Sequence, residues 1–186
     1  MKVFTTIPNY PSENKSIVTI GTFDGVHLGH RVVLRRMRKI AKKTKGKSVL
    51  FTFFPHPRYV LHKDNQDMKL ITTLQEKQDL INQTGLDNLV IHEFTKKFSR
   101  IKPVNFVRDI LVEQLNVHTL VIGYDHHFGR NRGSNIIQLR EFGEIYDFDC
   151  NWTEDIMTKV QNYIHADLNQ KLKDIKCPNI ERQDRQ

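Results

Sequence analysis

Apolar positions along this chain follow two periods in turn. Ile17 to Ile20 is a short apolar run that stops at Gly21 and predicts a strand at about 16–21. From Leu28, residues Val33, Met37, Ile40 and Ala41 recur at helical spacing and predict a helix over about 28–44 that ends near Gly46. Ser48 to Phe53 is again apolar and β-prone. Thr73-Leu74-Gln75-Glu76 has the spacing of a capping box and opens a helix to about Gln83, closed by Gly85. Asn88 to Ile91 predicts a third strand, Pro103 the first turn of a helix to about Leu115, and Val117 to Ile122 a fourth strand. Ser134 is placed to cap a helix to about Tyr146, with a short strand near 147–152. Residues 1–15 read as a leader with room for one short edge strand. Glu154 to Ile175 reads as one helix, with Ile156, Val160, Ile164, Leu168 and Leu172 forming a packing stripe, and the tail from Cys177 as a frayed end.

This alternation predicts an α/β fold, a Rossmann-like parallel sheet with helices on both faces and right-handed crossovers. Residues 1–153 are expected to form one domain, with 154–186 as a C-terminal helix and tail packing on it. In such sheets ligands bind beyond the carboxyl ends of the strands. Three unusual stretches, 22–30, 54–59 and 123–132, fall at such ends, which points to one shared site. The stretch Phe54-Pro55-His56-Pro57-Arg58-Tyr59 is expected to be a stiff loop, because its prolines interrupt both a ladder and a helix. Of the adjacent Phe53 and Phe54, one should face the core.

Composition narrows the functional classes. A chain of 186 residues with 38% hydrophobic and 27% charged residues suits one globular domain. It has no apolar run long enough to span a bilayer and no secretory signal pattern, so a cytoplasmic protein without membrane contact is expected. Cys150 and Cys177 are expected to be unpaired thiols. Much of the net charge of +8 lies in Arg31, Arg35, Arg36, Arg38, Lys39, Lys42, Lys43, Lys45 and Lys47. The apolar stripe of the same helix leaves these cations to solvent, and no aromatic residues interleave with them. A solvated face that attracts anionic substrates is therefore expected, and not a nucleic-acid surface.

The chemistry concentrates in Thr19-Ile20-Gly21-Thr22-Phe23-Asp24-Gly25-Val26-His27-Leu28-Gly29-His30. A strand, a glycine-bearing turn and a helix start bring unpaired N–H groups and the positive end of the helix dipole together, a setting that favours phosphate. His27 and His30, three apart on the first turn, add donors there. The sequence His27-Leu28-Gly29-His30 has the form of the H-x-G-H signature of the nucleotidyltransferase superfamily. Together with Thr52-Phe53-Phe54-Pro55-His56-Pro57 and the Gly123 to Gly133 stretch, in this order, it resembles the adenylyltransferase (FAD synthetase) module of bacterial bifunctional riboflavin kinase/FAD synthetases. The likeness runs from about residue 16 to 149.

The resemblance implies transfer of AMP from ATP to the phosphate of FMN, giving FAD and pyrophosphate. His27 and His30 would be the catalytic pair that holds the ATP phosphates. Gly21, Thr22, Phe23, Asp24, Gly25 and Gly29 would complete the ATP-binding turn, with Arg130 and Arg132 as further phosphate contacts. Pro55, His56, Pro57, Asp125 and Phe128 would form the flavin side. No protein metal ligands are assigned, and magnesium is expected to arrive with ATP. The family's Ser-Ser-Thr-x-Ile-Arg-like segment after the last strand has no match here, where Thr153 and Thr158 are the nearest hydroxyls. The riboflavin kinase module is not expected in this chain, so FMN would come from a separate kinase module. Two other readings stand beside this one: an H-x-G-H transferase acting on a nicotinamide or pantetheine phosphate, and a flavin- or nucleotide-binding module without turnover.

Overall fold

The computed structural model describes residues 1–7, 10–11, 13–61, 69–123 and 136–152. Among them, six strands form one parallel sheet: β1 (Lys2–Phe4), β2 (Ser16–Ile20), β3 (Lys47–Phe54), β4 (Asn88–Glu93), β5 (Val117–Ile122) and β6 (Asp149–Trp152). Their spatial order is β1-β4-β3-β2-β5-β6, and every pair is parallel. The helices are α1 (Leu28–Thr44), α2 (Pro57–Leu61), α3 (Leu74–Asn82), α4 and α5 (Ile136–Tyr146). Helix α4 starts at Pro103–Asn105 and continues in π-helical geometry over Phe106–Val112.

Successive residues of a strand point to opposite faces, which explains why the central strands are apolar throughout. Ile17, Leu50, Leu89 and Val121 lie against Leu34, Met37 and Ala41 of α1 and Ile81 of α3. Their neighbours Val18, Val49, Val90 and Leu120 face the other way, against Val107, Ile110 and Leu111 of α4 and Leu139 of α5. The predicted sheet with helices on both faces is the observed architecture. Phe53 is the aromatic that packs on the core, whereas Phe54 is exposed.

Several local expectations hold. The Thr73–Glu76 capping box is formed, and Gly85 takes the left-handed φ of +72° after α3. The nine cations of the 31–47 segment are all exposed, and the leader supplies the edge strand β1. Cys150 is a free thiol whose pKa burial pushes up to about 11. One expectation changes. Residues 57–61 form a helix with Pro57 in its first position, where the missing N–H is not needed. Helix α1 closes at Thr44, near Gly46 as expected, with Lys45 in the left-handed region (φ 54°). Gly46 is required for space, since a Cβ there would lie 2.5 Å from the Lys15 carbonyl oxygen and 2.7 Å from Ile17 Cδ1. Cys177, the proposed Ser134 cap, the 154–175 helix and the boundary at 153 lie outside the described residues.

The chain moves from β2 to β3 to β4 on one side of the sheet, then returns across it to place β5 on the other side of β2. The carboxyl ends of β2 and β5 therefore flank a topological switch point, the usual place for a ligand crevice in open α/β sheets. The turn 21–26 and the start of α1 emerge there, beside the 54–59 stretch that follows β3.

Candidate active site

The site is built on the turn after β2. Gly21 still belongs to the ladder, its N–H donating to the Phe51 carbonyl at 3.1 Å. Phe23, Gly25 and Val26 then take φ values of 49°, 69° and 38°, so three of four successive residues are left-handed. For a β-branched residue such as Val26 this costs about 1–3 kcal/mol and persists only where neighbours enforce it. Val26 and Phe23 are buried in the core, which supplies that enforcement. Glycine at position 25 avoids the same penalty, and Ile71 fills the space beside its Cα.

Asp24 holds the turn to a distant segment. Its carboxylate accepts from the Ile71 N–H at 2.9 Å, the Thr72 N–H at 3.1 Å and the Thr72 hydroxyl at 3.0 Å. The Gly25 N–H donates to Thr72 Oγ1 at 3.1 Å. Partial burial pushes the Asp24 carboxyl up, but these donors, with a smaller contribution from His56, hold it below its usual range. The carboxylate is thus a latch between the turn and the lead-in to α3.

His27 is the N-cap of α1, and its Nδ1 accepts from the His30 N–H at 3.4 Å. The two imidazoles stack with centroids 3.6 Å apart, and the Phe23 ring stacks on the far side of His30 at 4.4 Å. His27 is exposed, while His30 is half-buried between the rings. Burial first, then the neighbouring His27, lowers the His30 pKa to about 4, with Asp24 acting weakly the other way. His30 is therefore neutral at pH 7, and its buried Nδ1 has no hydrogen-bond partner among the described residues. The first intrahelical bond runs from the Arg31 N–H to the His27 carbonyl, so the Leu28 and Gly29 N–H groups have no acceptor within the helix. An anion at this point would meet free amide donors, the helix dipole and two imidazoles.

The stretch after β3 lies alongside. The Phe54–Pro55 peptide is cis, and Pro55, His56 and Pro57 are half-buried. His56 Nδ1 accepts from the Arg58 N–H at 3.2 Å. Burial lowers its pKa, Asp24 partly opposes this, and Arg58 and Lys77 add to the lowering. His56 is thus close enough to Asp24 for their charges to interact, which brings the first two sequence-predicted stretches together. Asp125, Phe128, Arg130 and Arg132 lie outside the described residues.

One cation escaped the sequence reading, and a second makes a contact that its exposure does not announce. Lys77 of α3 is buried, 8% exposed, and donates from Nζ to the Thr22 carbonyl at 3.2 Å and to Thr52 Oγ1 at 3.5 Å. Arg31, read above as solvated, donates from Nε to the Val26 carbonyl at 3.2 Å. The signal for Lys77 was its place in the stripe Leu74, Lys77, Ile81, where a cation occupies the apolar face of a helix. Among the described residues no group of three or more His, Cys, Asp or Glu side chains is placed to hold a metal ion, and no helix is long and apolar enough to cross a membrane.

The chain is similar to known proteins both in sequence and in fold. The family model described as FAD synthetase matches residues 10–165, extending beyond the three motifs at both ends. A bifunctional riboflavin kinase/FMN adenylyltransferase of Buchnera aphidicola is 38% identical over 149 residues, covering 80% of this chain and 47% of the relative. The protein of the same name from Escherichia coli K12 is 33% identical over 138 residues, 74% of this chain and 44% of its own. The chain thus spans about half the length of these relatives. Among solved structures, one described as a macrolide-efflux protein from Streptococcus pneumoniae superposes with a TM-score of 0.71 at 22% identity, over 81% of this chain and 48% of that one. A pantoate-beta-alanine ligase from Francisella tularensis follows with a TM-score of 0.53 at 12% identity, over 82% of this chain and 66% of its own. At such identities the two likenesses speak for the fold alone.

Proposed function

The chain belongs to the FAD synthetase family, and from that premise we propose that it is an FMN adenylyltransferase, converting ATP and FMN to FAD and pyrophosphate in the cytoplasm. The observation that carries this reading is the stacked His27–His30 pair at the open start of α1, set at the switch point beside the 54–59 stretch.

The reaction needs no protein nucleophile. An oxygen of the FMN phosphate forms a bond to the ATP α-phosphorus, and the bond from that phosphorus to the β-phosphate bridging oxygen breaks, releasing pyrophosphate. Catalysis is then positioning and charge stabilisation. His27 and His30 act as hydrogen-bonding groups to the triphosphate, and the low pKa of His30 makes it a neutral partner at pH 7. The Leu28 and Gly29 N–H groups and the α1 dipole add fixed positive potential. Pro55, His56 and Pro57 offer a rigid wall for the flavin, with Asp125 and Phe128 as further flavin contacts and Arg130 and Arg132 as phosphate contacts.

The Asp24 oxygens are taken up by Ile71 and Thr72, so magnesium arriving with ATP would rely on phosphate oxygens and water for its coordination. When bound, it would neutralise part of the triphosphate charge. FMN would come from a riboflavin kinase, the other activity in the names of the relatives.

The test is incubation of purified protein with ATP, magnesium and FMN, followed by chromatography. FAD should accumulate with the wild type and fall by about 10²–10³-fold with His27→Ala or His30→Ala. FMN binding without FAD, or preferential turnover of a nicotinamide or pantetheine phosphate, would refute the reading.

A further inference from the structure

Lys77 belongs to none of the three motifs that define the site, yet it sits beneath the place where two of them meet. Its ammonium reaches the Thr22 carbonyl in the turn after β2 and the Thr52 hydroxyl on β3, the strand that leads into the Pro55–Pro57 stretch. Thr52 Oγ1 itself donates to the Thr22 carbonyl at 3.3 Å, so three groups from three elements close on one another. The lysine forms no ion pair among the described residues. Its charge acts on both Asp24 and His56, one from each stretch.

A buried ammonium with no carboxylate in direct contact is costly, since desolvation penalises the charged form and the more distant Asp24 offsets this only in part. A neutral side chain of similar length would fill the slot at lower cost if packing were the only need. The requirement therefore lies in the charge. The reaction proposed above brings the FMN phosphate against the α-phosphate of ATP, several negative charges in one crevice. In the unliganded protein His30 is neutral at pH 7, so it brings no positive charge to the crevice before the phosphates arrive. Arg31, in the first turn of α1 and bonded to the Val26 carbonyl, is exposed and screened by solvent.

We propose that Lys77 is a positioning residue for adenylyl transfer: a buried counter-charge that acts on the assembled phosphates through the Thr22 carbonyl and the low-dielectric floor of the crevice, without touching them. The inference rests on the FMN adenylyltransferase reading. It assigns to α3 a role in anion binding, beside those given to the start of α1 and to Arg130 and Arg132.

The experiment compares wild type, Lys77→Gln and Thr52→Val by calorimetric titration with ATP and with adenosine, alongside FAD formation and thermal melting. Lys77→Gln retains a donor for Thr22 and Thr52 but removes the charge. It should weaken ATP binding roughly tenfold and leave adenosine binding unchanged, because a buried charge at this range is worth about that much. Thr52→Val keeps the charge and should bind ATP as the wild type does. Equal weakening for ATP and adenosine, or wild-type ATP affinity in Lys77→Gln, would overturn the inference. If Lys77→Gln does not fold, an ATP affinity reduced in Thr52→Val would overturn it, and an unchanged one supports it. A wild type that makes no FAD fails the parent reading instead, and that result is separate from any of these.

Discussion

The latch at Asp24 makes a sharp prediction through Asp24→Asn. In the native protein Oδ1 accepts from Ile71 N–H, Thr72 N–H and Thr72 Oγ1, and Oδ2 accepts from Ile71 N–H. Asparagine has one acceptor oxygen, so at least one donor meets an NH₂ group and every remaining bond loses its charge. Charge-assisted bonds contribute about 1.5–3 kcal/mol when buried, and this site is largely open to solvent, so the lower end applies. Weakening three bonds and breaking one gives a loss of about 2 kcal/mol. For a chain of this size that lowers the melting temperature by roughly 4–8 °C. The carboxyl is held below its usual range in the folded state, so its stabilisation is complete above the unfolded pKa near 4 and declines as pH falls through the folded value. Melting followed by circular dichroism from pH 7 to pH 3 should therefore show the wild-type advantage at neutral pH narrowing below about pH 4. No difference at pH 7, or a difference that stays constant down to pH 3, would refute the latch.

His30 gives a second pH dependence of the same sign. Its pKa falls from 6.5 unfolded to about 4 folded, so the unfolded chain binds the extra proton between those values and stability rises with pH across that window. His30→Phe should flatten the melting temperature over pH 4–6.5 relative to wild type, and an unchanged slope contradicts the burial of His30. Gly46→Ala places a Cβ 2.5 Å from the Lys15 backbone oxygen; denaturant titration should show a loss of at least about 2 kcal/mol. Chelation of magnesium by EDTA should abolish FAD formation and leave the melting temperature of the unliganded protein unchanged.

How far the sequence predicts this molecule depends on the range of the interaction that decides each feature. The strands at 16–20 and 117–122 and the helix at 28–44 are legible because their burial repeats locally. The Thr73 capping box and Gly85 are legible because their partners lie within a few residues. Pro57 misled, because the same residue that blocks a helix interior suits its first position. Gly46 marked the end of α1 correctly, but the close approach to Lys15 that requires a glycine there depends on a contact with the entry to β2 that no local pattern shows. The Asp24 latch joins positions 24 and 71–72, and no local pattern announces a bond across that span. Lys77 lay in plain view as a cation on an apolar stripe, but what it faces, Thr22 and Thr52, is settled only once β2, β3 and α3 are packed. Within the site, the His27–His30 pair was legible as chemistry. The stacking that buries His30 against Phe23 was not, since it depends on three left-handed residues in the turn.

The most direct test of the account is the fate of the ATP α-phosphate. With ATP labelled at that phosphorus, FMN and magnesium, the wild-type protein should place the label in FAD, with one unlabelled pyrophosphate released for each FAD formed. Label recovered in ADP, in free AMP without FAD, or in no flavin product at all would contradict direct adenylyl transfer at the His27–His30 turn.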